Sequence, residues 1–185
     1  MRCSAFIATS LDGFIARPDG RIDWLEAANR AAPAGEDCGF AAFLASVDAL
    51  VMGRATFETV RGFGAWPYGG TPVAVLSGTL GRLPAGTPET VTLHAPDPAA
   101  VVRWAEARGY RHLYVDGGTT IRGFMAAGLL TEWTITTVPV LIGEGLPLFG
   151  PHPSDIQVQH IETRTWPFGF VQSRYAVGHE GRGGR

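Results

Sequence analysis

Lysine is absent from all 185 residues, and the 15 basic side chains are all arginines. Coding bias accounts for such an absence, but its chemical consequence is firm. Schiff-base chemistry, pyridoxal phosphate attachment and a Walker-type phosphate loop each need a lysine amine and are excluded. Cysteine is almost as scarce. Cys3 and Cys38 form no CxxC pair, so neither a disulfide framework nor a zinc site is expected. No apolar run approaches the roughly 20 residues of a membrane span. The N-terminus, MRCSAFIATS, enters a strand pattern directly and lacks the shape of a secretory leader, so the cytoplasm is the expected compartment. With a net charge of -2 and scattered arginines, neither nucleic acid nor an anionic membrane is expected as a partner.

What is present is an ordinary globular composition, 45% hydrophobic and 17% charged, in a length that suits one domain. The domain is expected over residues 1–178, with 179–185 a disordered tail. Residues 3–10 alternate as a strand and end at the turn Leu11-Asp12-Gly13. A short strand, FIA, and a helical turn around Ile22–Leu25 follow. Apolar spacing predicts helices over 37–47, 54–62, 98–108 and GTTIRGFMAAG, the last closed by Gly128. Strands are predicted at 49–53, 72–78, 91–93 and HLYVD. From 133 the period changes, and 133–142, 155–165 and 170–177 read as successive antiparallel strands. This order predicts a three-layer α/β/α sandwich with a mostly parallel sheet and antiparallel C-terminal strands.

Ligands of open α/β sheets bind at the carboxyl ends of the strands. Three junctions there are rich in Gly, Ser and Thr: VMGRATF (51–57), VLSGTLG (75–81) and YVDGGTTI (114–121). A helix N-terminus carries unsatisfied N–H donors and favours phosphate, and glycine removes the Cβ that would block its approach. The spacing does not fit GxGxxG. A Gly-Gly pair at a strand end is also an ordinary tight turn, so both readings stay open on these residues alone.

Four blocks, taken in order, resemble the dihydrofolate reductase-like superfamily, and most closely the reductase domain of riboflavin biosynthesis (the RibD C-terminal group). They are SLDGFIA (10–16), DALVMGRATF (48–57), VDGGTTI (115–121) and VPVLIGEGLPLF (138–149). The resemblance implies a dihydrofolate reductase-like mixed sheet and an NADPH-dependent reductase, often dimeric. Its substrate would be a flat heterocycle, a pteridine or aminopyrimidine. It places Ala8 and Ile15 beside the nicotinamide, and Gly53, Arg54, Ala55 and Thr56 at the pyrophosphate and 2′-phosphate. Leu76, Ser77 and Gly78 fall on the adenine side, and Gly117, Gly118, Thr119, Thr120 and Ile121 complete the phosphate cradle. No metal is implied. On the substrate side, it marks Asp37, Trp24 and Asp116 as candidate catalytic residues, with Phe40, Ala41 and Leu44 lining a slot for the ring.

Two departures bear on function. The riboflavin-pathway reductases usually carry a lysine in the first strand, where this chain has Phe6, and Asp116 stands where dihydrofolate reductases have a third glycine. Asp37 has a second reading as an acid in the first turn of its helix. Two alternatives to a reductase follow: a non-catalytic protein that binds nicotinamide nucleotides, and a structural homodimer module whose glycines only turn the chain.

Overall fold

A computed structural model describes residues 1–152 and 154–178. The expected tail, 179–185, lies outside the described residues. Fully apolar strands set the frame. β3 (Ala49–Gly53), β4 (Val73–Leu76) and β6 (His112–Asp116) bury nearly every side chain, the mark of parallel strands covered on both faces. With β1 (Arg2–Ser10), β5 (Val91–His94), β7 (Glu132–Val138), β9 (Val158–Thr165) and β10 (Val171–Val177), they form one sheet in the order β5-β4-β3-β6-β1-β7-β10-β9. β2 (Phe14–Ala16) pairs antiparallel with β8 (Leu146–Pro147) in a separate ribbon.

Strand alternation divides the core. Ala49, Val51, Ala74, Leu76, Leu113 and Val115 face α4 (Pro98–Glu106) and α5 (Gly118–Ala126). Leu50, Met52, Val73, Val75 and Tyr114 face α3 (Arg54–Arg61) and the Phe40 and Phe43 side of α2 (Phe40–Ala45). A third cluster joins Trp24 of α1 (Asp23–Asn29) to Val138 and Phe170. α4 starts as its sequence suggests: Asp97 accepts from the Ala100 N–H at 3.0 Å, and Pro98 occupies the first turn.

The expected antiparallel C-terminal strands are observed, in a different neighbour order. β7 is parallel to β1, and β10 lies between β7 and β9, antiparallel to both. β7 also stops at Val138, because Pro139 cannot donate to the ladder. The helix expected over 37–47 is only Phe40–Ala45, and the turn at Ile22–Leu25 extends into a helix over Asp23–Asn29. Among the described residues, no helix is long and apolar enough to cross a membrane.

One buried polar group makes stability pH-dependent. His112 sits between the Ser46 carbonyl and the Ser4 hydroxyl, each 2.9 Å from a ring nitrogen. Burial pushes its pKa below the ordinary 6.5. The neutral ring therefore belongs to the folded state, whereas the unfolded chain takes up a proton near pH 6.5. The urea midpoint should hold above about pH 6.5 and fall as pH drops from there toward the lower folded value. In His112→Gln that slope should be shallower, whatever the variant's absolute stability.

Candidate active site

The β3–α3 and β6–α5 junctions lie side by side, because β3 and β6 are hydrogen-bonded neighbours with Met52 opposite Asp116. β4 flanks β3 on its other side, with Leu76 opposite Gly53. Adjacent strands lie about 4.8 Å apart, so the crests of β4, β3 and β6 are consecutive neighbours. Neither α3 nor α5 has a side-chain cap; their N-cap residues are Gly53 and Gly117. Both helices thus begin with backbone N–H groups that no side-chain cap satisfies.

The reason for the glycines differs from the sequence expectation. A Cβ at Gly117 would collide with the Thr56 hydroxyl of α3, and one at Gly118 would meet the Ile15 side chain. At Gly53 it would lie 3.1 Å from Thr120 Oγ1. The missing side chains let the two helix starts and the Ile15 loop close on each other. Gly117 also has φ 84° and ψ 135°, a region open in practice to glycine alone. The room is used first by the protein, and the N–H groups are brought together as a consequence.

Arg54 is exposed at the start of α3, with Nη1 3.3 Å from Glu58, and Ala55 beside it is exposed as well. The Ser77 hydroxyl accepts from the Thr79 and Leu80 N–H groups at 3.2 and 2.9 Å and keeps its own proton to donate. Gly78 rests against Pro96. Thr119 is exposed, while Thr120 and Ile121 are buried.

The opposite side of the crest is apolar and acidic. Ala8 packs on the cluster that holds Trp24. Trp24 is 4% exposed, and its indole N–H has no partner, a donor without an acceptor in a buried setting. Asp116, half-buried, accepts the Gly117 N–H at 2.8 Å on Oδ1, and the Tyr68 hydroxyl lies 3.4 Å from Oδ2. Burial raises its pKa against these hydrogen bonds. Phe6, in the position of the missing lysine, packs against Phe40 and Phe43 at 5.6 and 5.0 Å between ring centroids.

Asp37 lies ahead of α2 rather than in its first turn. It is exposed, and its oxygens accept from the Gly39 and Ala41 N–H groups, both at 2.8 Å. The Ala41 bond, then the Gly39 bond, holds its carboxyl below the usual range. Ala41 itself is exposed. Phe40 and Leu44 are half-buried against the α3-side core, which leaves them packing partners already.

Three contacts were missed from the sequence. Asp12 accepts from the Ile142 and Gly143 N–H groups at 3.1 and 2.8 Å, tying the SLDGFIA turn to the GEG loop. Arg122 donates to the Pro147 carbonyl at 2.7 Å and stands beside Gly118, which puts a second guanidinium next to the paired helix starts. Tyr68 reaches Asp116 from 48 residues away. The IRG sequence after GGTT carries a signal for Arg122, since a cation in the first turns of a helix runs against its dipole and invites another partner. Nothing local marks Tyr68.

The family model for the RibD C-terminal domain matches residues 3–171. The chain belongs to the RibD C-terminal domain family. Within this family and fold, the chain is 33% identical over 147 residues to the uncharacterized protein YwjB of Bacillus subtilis (strain 168), covering 78% of this chain and 80% of that one. It superposes with a TM-score of 0.89 and 38% identity on a putative riboflavin biosynthesis protein from Shewanella sp. PV-4, covering 97% and 100% of the two chains. The dihydrofolate reductase of Enterococcus faecalis, solved with NADP(H) and RAB-propyl, shares the fold at a TM-score of 0.65 and 16% identity, over 96% and 97% of the chains. The dihydrofolate reductase-like sheet expected from the four motif blocks is therefore the observed one.

The paired crest of this RibD C-terminal domain gives a direct test. Gly117→Ala combines a forbidden backbone region with the Thr56 collision and should lower unfolding free energy by about 2 kcal/mol or more. Adding Thr56→Ala should restore only the steric part. Denaturant titration of the two variants separates the contributions.

Proposed function

We propose that this domain is an NADPH-dependent reductase of a flat heterocycle of the pteridine or aminopyrimidine type. The observation that carries the reading is the pair of uncapped helix starts, Gly53–Arg54 and Gly117–Gly118, drawn together beside a half-buried acid. Two such termini form an anion site suited to a pyrophosphate. Arg54, with Ser77 on the neighbouring crest, suits the extra 2′-phosphate. Ala55, Thr56, Leu76, Gly78, Thr119, Thr120 and Ile121 complete the cofactor side, with Ala8 and Ile15 against the nicotinamide. When bound, the cofactor supplies the hydride.

The chain's own contribution is alignment and exclusion of water. Trp24 offers its free N–H to the substrate, and Asp116 offers an acid. Phe40 forms the apolar wall, together with Phe6. Asp37 is assigned to the capping of α2, which leaves the proton to Asp116. With Phe6 in place of a lysine, a ring without a phosphoribosyl group is the favoured substrate. A homodimer belongs to the same proposal, supported by exposed Val158, Ile161 and Val171 on β9 and β10.

Nicotinamide fluorescence should report saturable NADPH binding. Arg54→Ala should weaken NADPH about tenfold, the loss of roughly 1.4 kcal/mol, and leave NADH nearly unchanged. Equal losses for both nucleotides would remove Arg54 from the 2′-phosphate. Saturable binding without NADPH oxidation by any dihydropteridine or aminopyrimidine tested would favour the non-catalytic alternative.

A further inference from the structure

Among the described residues no cation acts on Asp116, and what surrounds it is unusual for a carboxyl group. Its Oδ1 is held by the Gly117 N–H at 2.8 Å. Tyr114 and Tyr68 are the titratable side chains that act on it among the described residues. They are not equivalent. Tyr114 divides its hydroxyl between two partners, since it reaches the Phe6 carbonyl at 3.0 Å as well as hydrogen-bonding Asp116. Tyr68 makes no such commitment, and its hydroxyl lies 3.4 Å from Oδ2.

Tyr68 is also fixed. It is 6% exposed, stacks edge-on against Trp66 at 5.3 Å, and Trp66 in turn meets Phe57 of α3 at 6.2 Å. The Tyr68 carbonyl accepts from the Thr71 N–H at 3.0 Å, closing the turn that carries it. The loop FGAWPYGG thus brings one hydroxyl over the crest of β6. At 3.4 Å the O–H···O contact is long, as hydrogen bonds to catalytic groups often are before substrate binds.

We propose that Tyr68 is a positioning residue for Asp116: its hydroxyl holds the carboxyl group toward the substrate ring and stabilises the carboxylate left when Asp116 gives up its proton. The inference rests on the reductase reading above and adds to it the source of the proton. When bound at the α3 and α5 starts, a reduced nicotinamide would supply the hydride for a C–H bond at the ring carbon and would itself be oxidised. The C=N π pair takes the Asp116 proton to form N–H. The substrate is reduced, and Asp116 remains as a carboxylate that accepts from Tyr68 and Gly117 until water returns its proton. Burial raises the Asp116 pKa, which favours the acid form that the step requires.

The test is a carbon-13 NMR titration of the Asp116 carboxyl in the cofactor-free protein, with Asp116→Asn to assign the signal. Wild type should titrate above the ordinary carboxylate range. Tyr68→Phe keeps the ring and removes the donor, so the midpoint should rise further, by about half a pH unit to one unit. An unmoved midpoint would overturn the proposal and leave the reductase reading standing. If Tyr68→Phe does not fold, protein carrying 3-fluorotyrosine, a more acidic phenol, at position 68 alone should show the midpoint moved down; no movement again overturns it. NADPH binding to the same samples is read separately. A shifted midpoint in a protein that binds no NADPH would overturn the reductase reading, and with it the catalytic role of the pair.

Discussion

Two helices can start side by side on adjacent parallel strands only if something small stands between them. In this domain that constraint falls on Gly117, which meets the Thr56 hydroxyl, and on Gly53, which faces Thr120. The contact sets the spacing of the α3 and α5 N-termini, and with it the density of free N–H donors at the crest. A glycine retained for packing thereby yields an electrostatic feature. The two effects cannot be separated, since any side chain that pushed the helices apart would also dilute the anion site.

The same contact explains why four separate sequence blocks occur together. SLDGFIA supplies Ile15, which rests on Gly118, and Asp12, which holds the Ile142–Gly143 amides. The GEGLPLF segment returns to pair with the FIA strand, and Arg122 from α5 fastens its Pro147 carbonyl. DALVMGRATF and VDGGTTI meet at Thr56 and Gly117. The motifs are thus the parts of a single joint, and their co-occurrence has a mechanical cause.

Much of the fold was legible because it followed from local pattern. The apolar runs ALVM and VAVL could only be buried parallel strands, and Asp97-Pro98 announced a helix start. The rest depended on information that no short window carries. Leu146–Pro147 is too short to signal a strand and exists only because Phe14–Ala16 receives it. The placement of β10 between β7 and β9 is a choice among hairpin orders that alternation does not distinguish. Asp37 was readable in two ways, and its bonds to the Gly39 and Ala41 amides ahead of and within α2 depend on a turn that no spacing announces. Tyr68 was invisible in an aromatic loop, since its partner lies across the sheet.

The absence of lysine returns at this point with a structural meaning. Phe6 packs against Phe40 and Phe43 in an aromatic wall, and among the described residues Asp116 has no cation hydrogen-bonded or ion-paired to it. Burial raises the pKa of an acid so placed, which favours giving up a proton over gripping a phosphate. The whole account depends on where an anion settles. A crystal structure with NADP+ bound tests this most directly. The account predicts the pyrophosphate between the first turns of α3 and α5, with Asp116 on the nicotinamide side. A pyrophosphate bound elsewhere, or a crest that stays closed by Thr56 and Ile15 with no nucleotide present, would contradict it.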